Sequence, residues 1–335
     1  MLSALLAEEP RALSPAGTAV AEAAVRDAAL GGVHLTGGPR DRFNELSRGL
    51  STAANTFQNN VLDATAGFKL RVTETAAVAG LPPGLLASCA VPGAPAAEGP
   101  WDFTLDDARY GQFMAHCGDR ALREAMYRAH VTRAGGSNAR LMSDILRDRH
   151  ERAALLGHAD FASQSLASKM APSPAAVRAW LEDLRERCYA PAAAELVALG
   201  QFAAAHGAPS PLAQWDVPYW ARRHLEETVG VDDEALRVYF PLDRVLSGLF
   251  GVASDAFGVT IEHAPAAHAW HADVQMFRVS DARSGAPLAS FYLDPYARPG
   301  TKRGGAWMDA CIGRSAARAL PGSVRARAAR AQVME

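Results

Sequence analysis

The chain has only four cysteines in 335 residues, and Cys89, Cys117, Cys188 and Cys311 include no C-x-x-C pair. Structural zinc sites use closely spaced ligand pairs and disulfide frameworks use dense cysteines, so these four read as reduced thiols. An excess of charge of one sign is also missing, since 34 Lys and Arg stand against 36 Asp and Glu, a formal net charge of -2. With no basic surplus to collect phosphates, nucleic acid is not an expected partner. No apolar run reaches the roughly 20 residues that a membrane-spanning helix needs, so no membrane association is expected. Met1-Leu-Ser-Ala-Leu-Leu6 is short and lacks the positive leading segment of a signal peptide, and Glu8-Glu9 opposes an Arg-rich transit peptide. The expected location is cytoplasmic, with an organellar one left open.

Familiar catalytic signatures are absent as well. There is no G-x-S-x-G, and no cysteine sits in a glycine-rich turn ahead of a helix. Gly31-Gly32, Gly37-Gly38 and Gly135-Gly136 lack the strand and the G-x-G-x-x-G or G-K-[ST] pattern of a phosphate cradle, so they read as turns. H-E-x-x-H, which sets two imidazoles one helical turn apart, occurs nowhere in the sequence. The nearest approach, His150-Glu151-Arg-Ala-Ala154, has alanine where the second ligand must stand and reads as a polar helix face. His263, His268 and His271, beside Glu262 and Asp273, are spaced by five and three in an Ala/Pro-rich stretch that matches no closed zinc site, so they read as a solvated loop.

What is present describes a globular protein: charged residues make up 21% and hydrophobic ones 49%. The length allows two domains and a sizeable core. Phe43, Leu46, Leu50, Phe57 and Val61 recur at three- and four-residue steps or their sums, which predicts a helix over about 40–62. A short strand is expected over 69–73 and, from the prolines that follow, a loop over about 82–102. Asp119 should cap a helix reaching about Arg133, Ser137 should open another, and Pro172-Ser-Pro174 should start a long Ala-rich helix that Pro191 kinks or interrupts. A further helix is expected over Leu242 to Phe257, then strands at Val274–Val279 and Ala289–Leu293 joined by a polar hairpin loop. No repeat of fixed period is visible, which disfavours a solenoid.

Four segments carry more specific information. In chain order they are Asn59-Asn-Val-Leu-Asp-Ala-Thr65, Leu122-Arg-Glu-Ala-Met-Tyr-Arg128, Trp270-His-Ala-Asp-Val274, and the run from Phe291 to Asp309 that contains Lys302-Arg-Gly-Gly-Ala-Trp307. Together they resemble the thimet oligopeptidase and oligopeptidase A family of zinc metallopeptidases, and Asn59–Thr65 resembles its oligopeptidase A branch. Several unrelated motifs in one order are far more specific than any one alone. The resemblance covers about Leu13 to Gly313.

That resemblance implies a mostly α fold, the helical body of a zincin-type oligopeptidase with a small antiparallel β element near residues 258–306. It divides the chain into part of an N-terminal helical region (13–100), the front of a catalytic domain (101–313) and a divergent, low-complexity tail (314–335) expected to be disordered. In the intact family a zinc held by H-E-x-x-H hydrolyses short peptides, and the R-G-G-A-W segment lies by the substrate cleft. Arg303, Gly304, Gly305, Ala306 and Trp307 are therefore the substrate-cleft candidates, while Trp270, His271 and Asp273 fix the start of the strand at Val274. No catalytic or metal-ligating residue is assigned. The expectation is a truncated metallo-oligopeptidase, monomeric, binding no zinc and inactive alone. A non-catalytic peptide-binding or interaction protein is the alternative. In the truncated reading Phe277, Phe291, Tyr292 and Trp307 keep exposed apolar surface.

Overall fold

The computed structural model describes residues 14–230, 233–265, 269–296, 298, 308–312 and 322–325. It is mostly α, with small sheets. The chain forms two compact units, one of Met1–Leu81 with Cys89–His224, the other of Pro82–Ser88 with Leu225–Glu335.

In the first unit, Ser14 accepts a hydrogen bond from the Gly17 amide and starts α1 (Pro15–Leu30). The apolar stripe expected over 40–62 lies on α2 (Gly37–Gly67), where Phe43, Leu46 and Leu50 are buried. Its partner is α6 (Gly135–Leu155). Two polar ties set the register of this antiparallel pair. Arg42 donates through Nε and Nη2 to the two carboxylate oxygens of Glu151 at 2.6 and 2.8 Å. Near the other end, Asn60 Nδ2 donates to Asn138 Oδ1 at 2.8 Å and Asn138 Nδ2 donates to the Phe57 carbonyl at 3.2 Å. Helix α6 starts at Gly135, two residues before Ser137, because Ala134 takes a left-handed conformation with φ 56° that ends the preceding segment.

The stretch of chain between α2 and α6 supplies most of the large, fully buried side chains. Strands β1 (Leu70–Val72) and β2 (Trp101–Phe103) pair antiparallel, and Trp101, Phe103, Leu105, Phe113, Met114 and Met126 are almost fully buried. The stretch expected as a loop over 82–102 contains a helix, α3 (Pro83–Cys89), and the start of β2. Pro83 opens that helix, because its fixed φ suits the first helical position, where no amide is needed. Gly99 is required where it stands: its φ is +73°, and an added Cβ would lie 2.5 Å from the Trp101 ring. Helices α4 (Asp107–His116) and α5 (Arg120–Thr132) follow, capped by the side chains of Asp106 and Asp119.

Helix α7 (Phe161–Leu166) leads to α8 (Pro174–Ala205), which Ser173 caps by accepting from the Ala176 amide. Helix α8 runs uninterrupted through Pro191, and every position from 178 to 198 is exposed. At the start of α9 (Val217–Val229) stands Asp216, with no accessible surface. It accepts from Arg120 Nε and Nη2 (3.0 and 2.9 Å), from Arg123 Nη2 (2.9 Å) and from the Ala213 amide (3.0 Å). Arg123, itself only 2% exposed, also donates to the carbonyls of Cys117, Gly118 and Trp215.

The second unit carries α3 except for Cys89, together with α10 (Asp233–Arg237) and α11 (Leu242–Phe257), the latter closed by Gly258 at φ 63°. A five-stranded sheet follows, β3 (Val259–Ala264), β4 (Gln275–Asp281), β5 (Pro287–Leu293), β6 (Asp309–Ile312) and β7 (Gly322–Arg325), in the order β3-β4-β5-β7-β6. Its pairings are antiparallel except for the parallel β5–β7 pair. Strand β7 falls inside the segment expected as a tail. The β4–β5 hairpin is fixed by Asp281, whose Oδ1 accepts from the Arg283 and Ser284 amides at 3.1 and 2.8 Å. Phe277 is 7% exposed, not an open apolar surface as expected, because the Phe250 ring of α11 sits 4.9 Å from it and Phe291 stacks at 5.1 Å. Phe291 and Tyr292 are half-buried.

Candidate functional site

The motif Trp270-His-Ala-Asp-Val274 is a compact turn leading into β4. The Val274 amide donates to the His271 carbonyl at 3.2 Å and the Asp273 amide to His271 Nδ1 at 3.2 Å, so this imidazole nitrogen is an acceptor turned back on its own loop. Trp270 lays its ring 5.4 Å from that of Tyr292 and donates its indole N–H to Asp294 Oδ2 at 3.0 Å.

Asp294 is the pivot of this region. It is 3% exposed and stands just after β5, where it also accepts from Arg298 Nη1 and Nη2 at 2.9 and 2.7 Å. Such a bidentate, charge-assisted contact fixes direction as well as distance. Hydrogen bonding to Asp294 raises the Arg298 pKa against the opposing effect of burial, so the guanidinium stays charged. One carboxylate thus holds the turn before β4 and the chain leaving β5. The candidates Arg303, Gly304, Gly305, Ala306 and Trp307, with Lys302, lie outside the described residues, between this anchor and β6. Asp294 and Arg298 were not singled out from the sequence, although an Asp and an Arg four residues apart beside a proline offered a local signal.

The donors present do not fit the zinc that the resemblance implies. His150 is exposed on α6, and the position one turn further is Ala154, which has no donor. Glu151, the would-be base, is committed to Arg42, whose hydrogen bonds lower its pKa. His263 stands exposed on β3 with its ring edge-on to Phe277 at 5.6 Å, His271 bonds within its own turn, and His268 lies outside the described residues. Among the described residues no three His, Cys, Asp or Glu side chains assemble into a metal-holding group. Cys117 offers no nucleophile either, since burial pushes its thiol pKa up to about 11.

A model of peptidase family M3 matches residues 113–332, well over half of the chain. The chain belongs to peptidase family M3. The M3 match takes in α5 with its L-R-E-A-M-Y-R run, the β4 turn and the R-G-G-A-W stretch. Similarity to curated relatives reaches further towards the N-terminus. The chain is 40% identical over 324 residues to the organellar oligopeptidase A, chloroplastic/mitochondrial, of Arabidopsis thaliana, covering 93% of this chain and 41% of that protein. It is also 40% identical over 324 residues to a probable cytosolic oligopeptidase A of the same plant, covering 46% of it. With oligopeptidase A of Escherichia coli (strain K12) the identity is 40% over 299 residues, 87% of this chain and 44% of the relative. These identities set the M3 chain in the oligopeptidase A branch, as the Asn59–Thr65 motif indicated. The chain spans less than half the length of these relatives. No helix among the described residues is long and apolar enough to cross a membrane.

Proposed function

We propose that these 335 residues are part of a zinc metallo-oligopeptidase that hydrolyses short peptides, and that they supply cleft wall rather than catalytic machinery. One combination of findings carries this reading: the chain matches oligopeptidase A relatives along 87–93% of its own length, yet contains no H-E-x-x-H. The zinc ligands and the motif glutamate belong to polypeptide beyond these residues. Residues 101–313 act as the front of the catalytic domain, and Arg303, Gly304, Gly305, Ala306 and Trp307 face the peptide. Glycines beside a large aromatic suit that task, because a backbone without Cβ lets an extended peptide approach closely while the ring bounds the channel. Asp294 and Arg298 support the segment by directing the chain where it leaves β5. The protein acts as a monomer.

The test is metal analysis of the purified chain after dialysis against a weak chelator, together with hydrolysis of a quenched fluorescent peptide. Neither stoichiometric zinc nor turnover is expected. One tightly held zinc per chain, or chelator-sensitive cleavage, would overturn the reading and return attention to the His263 region.

A further inference from the structure

Two half-buried rings join helices α4 and α5 just before the chain turns into α6. The His130 imidazole, in the last turn of α5, lies on the Tyr110 ring of α4, with centroids 4.0 Å apart and planes 11° from parallel. A cation already occupies the end of α5, because Arg133 turns back and donates through Nη1 to the His130 carbonyl at 2.7 Å. An imidazolium near a helix C-terminus ordinarily gains from the free carbonyls there. Here the guanidinium has taken that position, so a second positive charge would meet the first. The next residue, Ala134, holds φ 56°, the one left-handed non-glycine conformation among the described residues, and a side chain with a Cβ is strained there. The Ala134 carbonyl accepts from the Asn138 amide at 2.9 Å, and Asn138 ties α6 to Asn60 and the Phe57 carbonyl of α2. A strained joint is therefore held by the bond to His130 on one side and by the α2–α6 register on the other.

We propose that the His130–Tyr110 stack is a pH-sensitive latch on the α5–α6 joint: a neutral imidazole keeps the joint closed, and protonation drives Arg133 off the His130 carbonyl and lets Ala134 relax. Few charged or titratable groups surround the ring. From α4, Asp107 favours the imidazolium, and the Tyr110 ring face also suits a cation. Arg133 opposes it, and Tyr127 of α5 stands beside Tyr110. Burial is the largest influence, and with Arg133 it outweighs Asp107, so the His130 pKa lies below its ordinary value. A histidine that folding keeps neutral gives its full stability above the unfolded pKa of about 6.5, and that stability is lost as the pH falls from there towards the lower folded value. The latch opens in mild acid.

The test is hydrogen–deuterium exchange of the full chain at about pH 7.5 and about pH 5.5, read as protection factors so that the intrinsic pH dependence of amide exchange is removed. Protection over 132–138 should fall about threefold or more in acid, while Phe113 and Met114 in the core of α4 keep theirs. His130→Phe leaves a ring on Tyr110 but takes up no proton, so it should abolish the acid response. His150→Gln, at an exposed position of α6, should retain it. Unchanged protection over 132–138 in the parent, a response that survives in His130→Phe or vanishes in His150→Gln, or an equal loss at Phe113 and Met114 would each overturn the inference. A proton NMR titration of His130 in the parent chain decides the matter without any variant: a midpoint below the ordinary histidine value supports the latch, and one at or above it rejects the latch.

Discussion

Replacing Asp216 by alanine offers the sharpest check on what holds the first unit together. The substitution removes an inaccessible carboxylate that receives two guanidinium groups and the Ala213 amide, and it leaves Arg123, 2% exposed, with a buried charge and no counter-ion. Arg123 keeps its three carbonyl acceptors, so the loss is mainly the uncompensated charge. Breaking a buried pair from one side costs about 3–5 kcal/mol. At roughly 2–4 °C per kcal/mol for a body of this size, the melting temperature should fall by roughly 6–20 °C. Burial alone would raise the Asp216 pKa, but the hydrogen bonds from Arg120, the Ala213 amide and Arg123 outweigh it and hold the pKa below the ordinary carboxylate value. A carboxylate lowered on folding stabilises above its unfolded pKa of about 3.9, and that contribution fades as the pH falls through the lower folded value. The gap between parent and Asp216→Ala should therefore be full at pH 7 and shrink towards pH 3. Circular dichroism melts at several pH values, with amide exchange over α5, provide the measurement. The double variant Arg123→Met with Asp216→Leu should recover part of the loss, because it removes both charges. A single variant melting within about 1 °C of the parent at pH 7, or a pH-independent gap, would refute the reasoning.

Asn138→Ala removes the donor to the Phe57 carbonyl and the acceptor of Asn60 across the α2–α6 pair. A loss of about 1–3 kcal/mol is expected in urea denaturation, against no loss for Asn59→Ala on the exposed neighbouring position. Cys117, buried and with its thiol pKa pushed up to about 11, should resist alkylation by iodoacetamide at pH 8 in the folded chain, while exposed Cys188 is modified. Peptide mapping by mass spectrometry reads both sites, and equal labelling would contradict the burial.

Much of this fold could be read from periodicity. The helix expected over Leu242 to Phe257 has those bounds, and its end is marked by a glycine that takes a left-handed conformation. Asp119 caps α5, Ser173 caps α8, and the β4–β5 hairpin lies where alternation and a polar loop placed it. The failures share a cause, which is information that is not local. Prolines at 82 and 83 looked like breakers because pattern alone does not tell a first-turn proline from an interrupting one. Pro191 was expected to kink or interrupt α8, yet the helix is unbroken there. Asp216 meets Arg123 from 93 residues away, and nothing near either residue announces the pairing. For the candidate site, the turn at Trp270 to Asp273 and its place before β4 were legible from motif resemblance, whereas the role of Asp294 required the fold to bring Trp270 within reach.

That single carboxylate has a consequence for how M3 sequences drift. Trp270 and Arg298 are far apart in the chain, but both donate to Asp294, so a substitution at any of the three alters the selection acting on the other two. A lineage that exchanges Asp294 for a neutral residue leaves the arginine with less reason to persist and frees the indole to become a plain aromatic. The three positions should be inherited as a unit or lost as one, and a sequence keeping only one of them has let go of the geometry that aims the chain leaving β5.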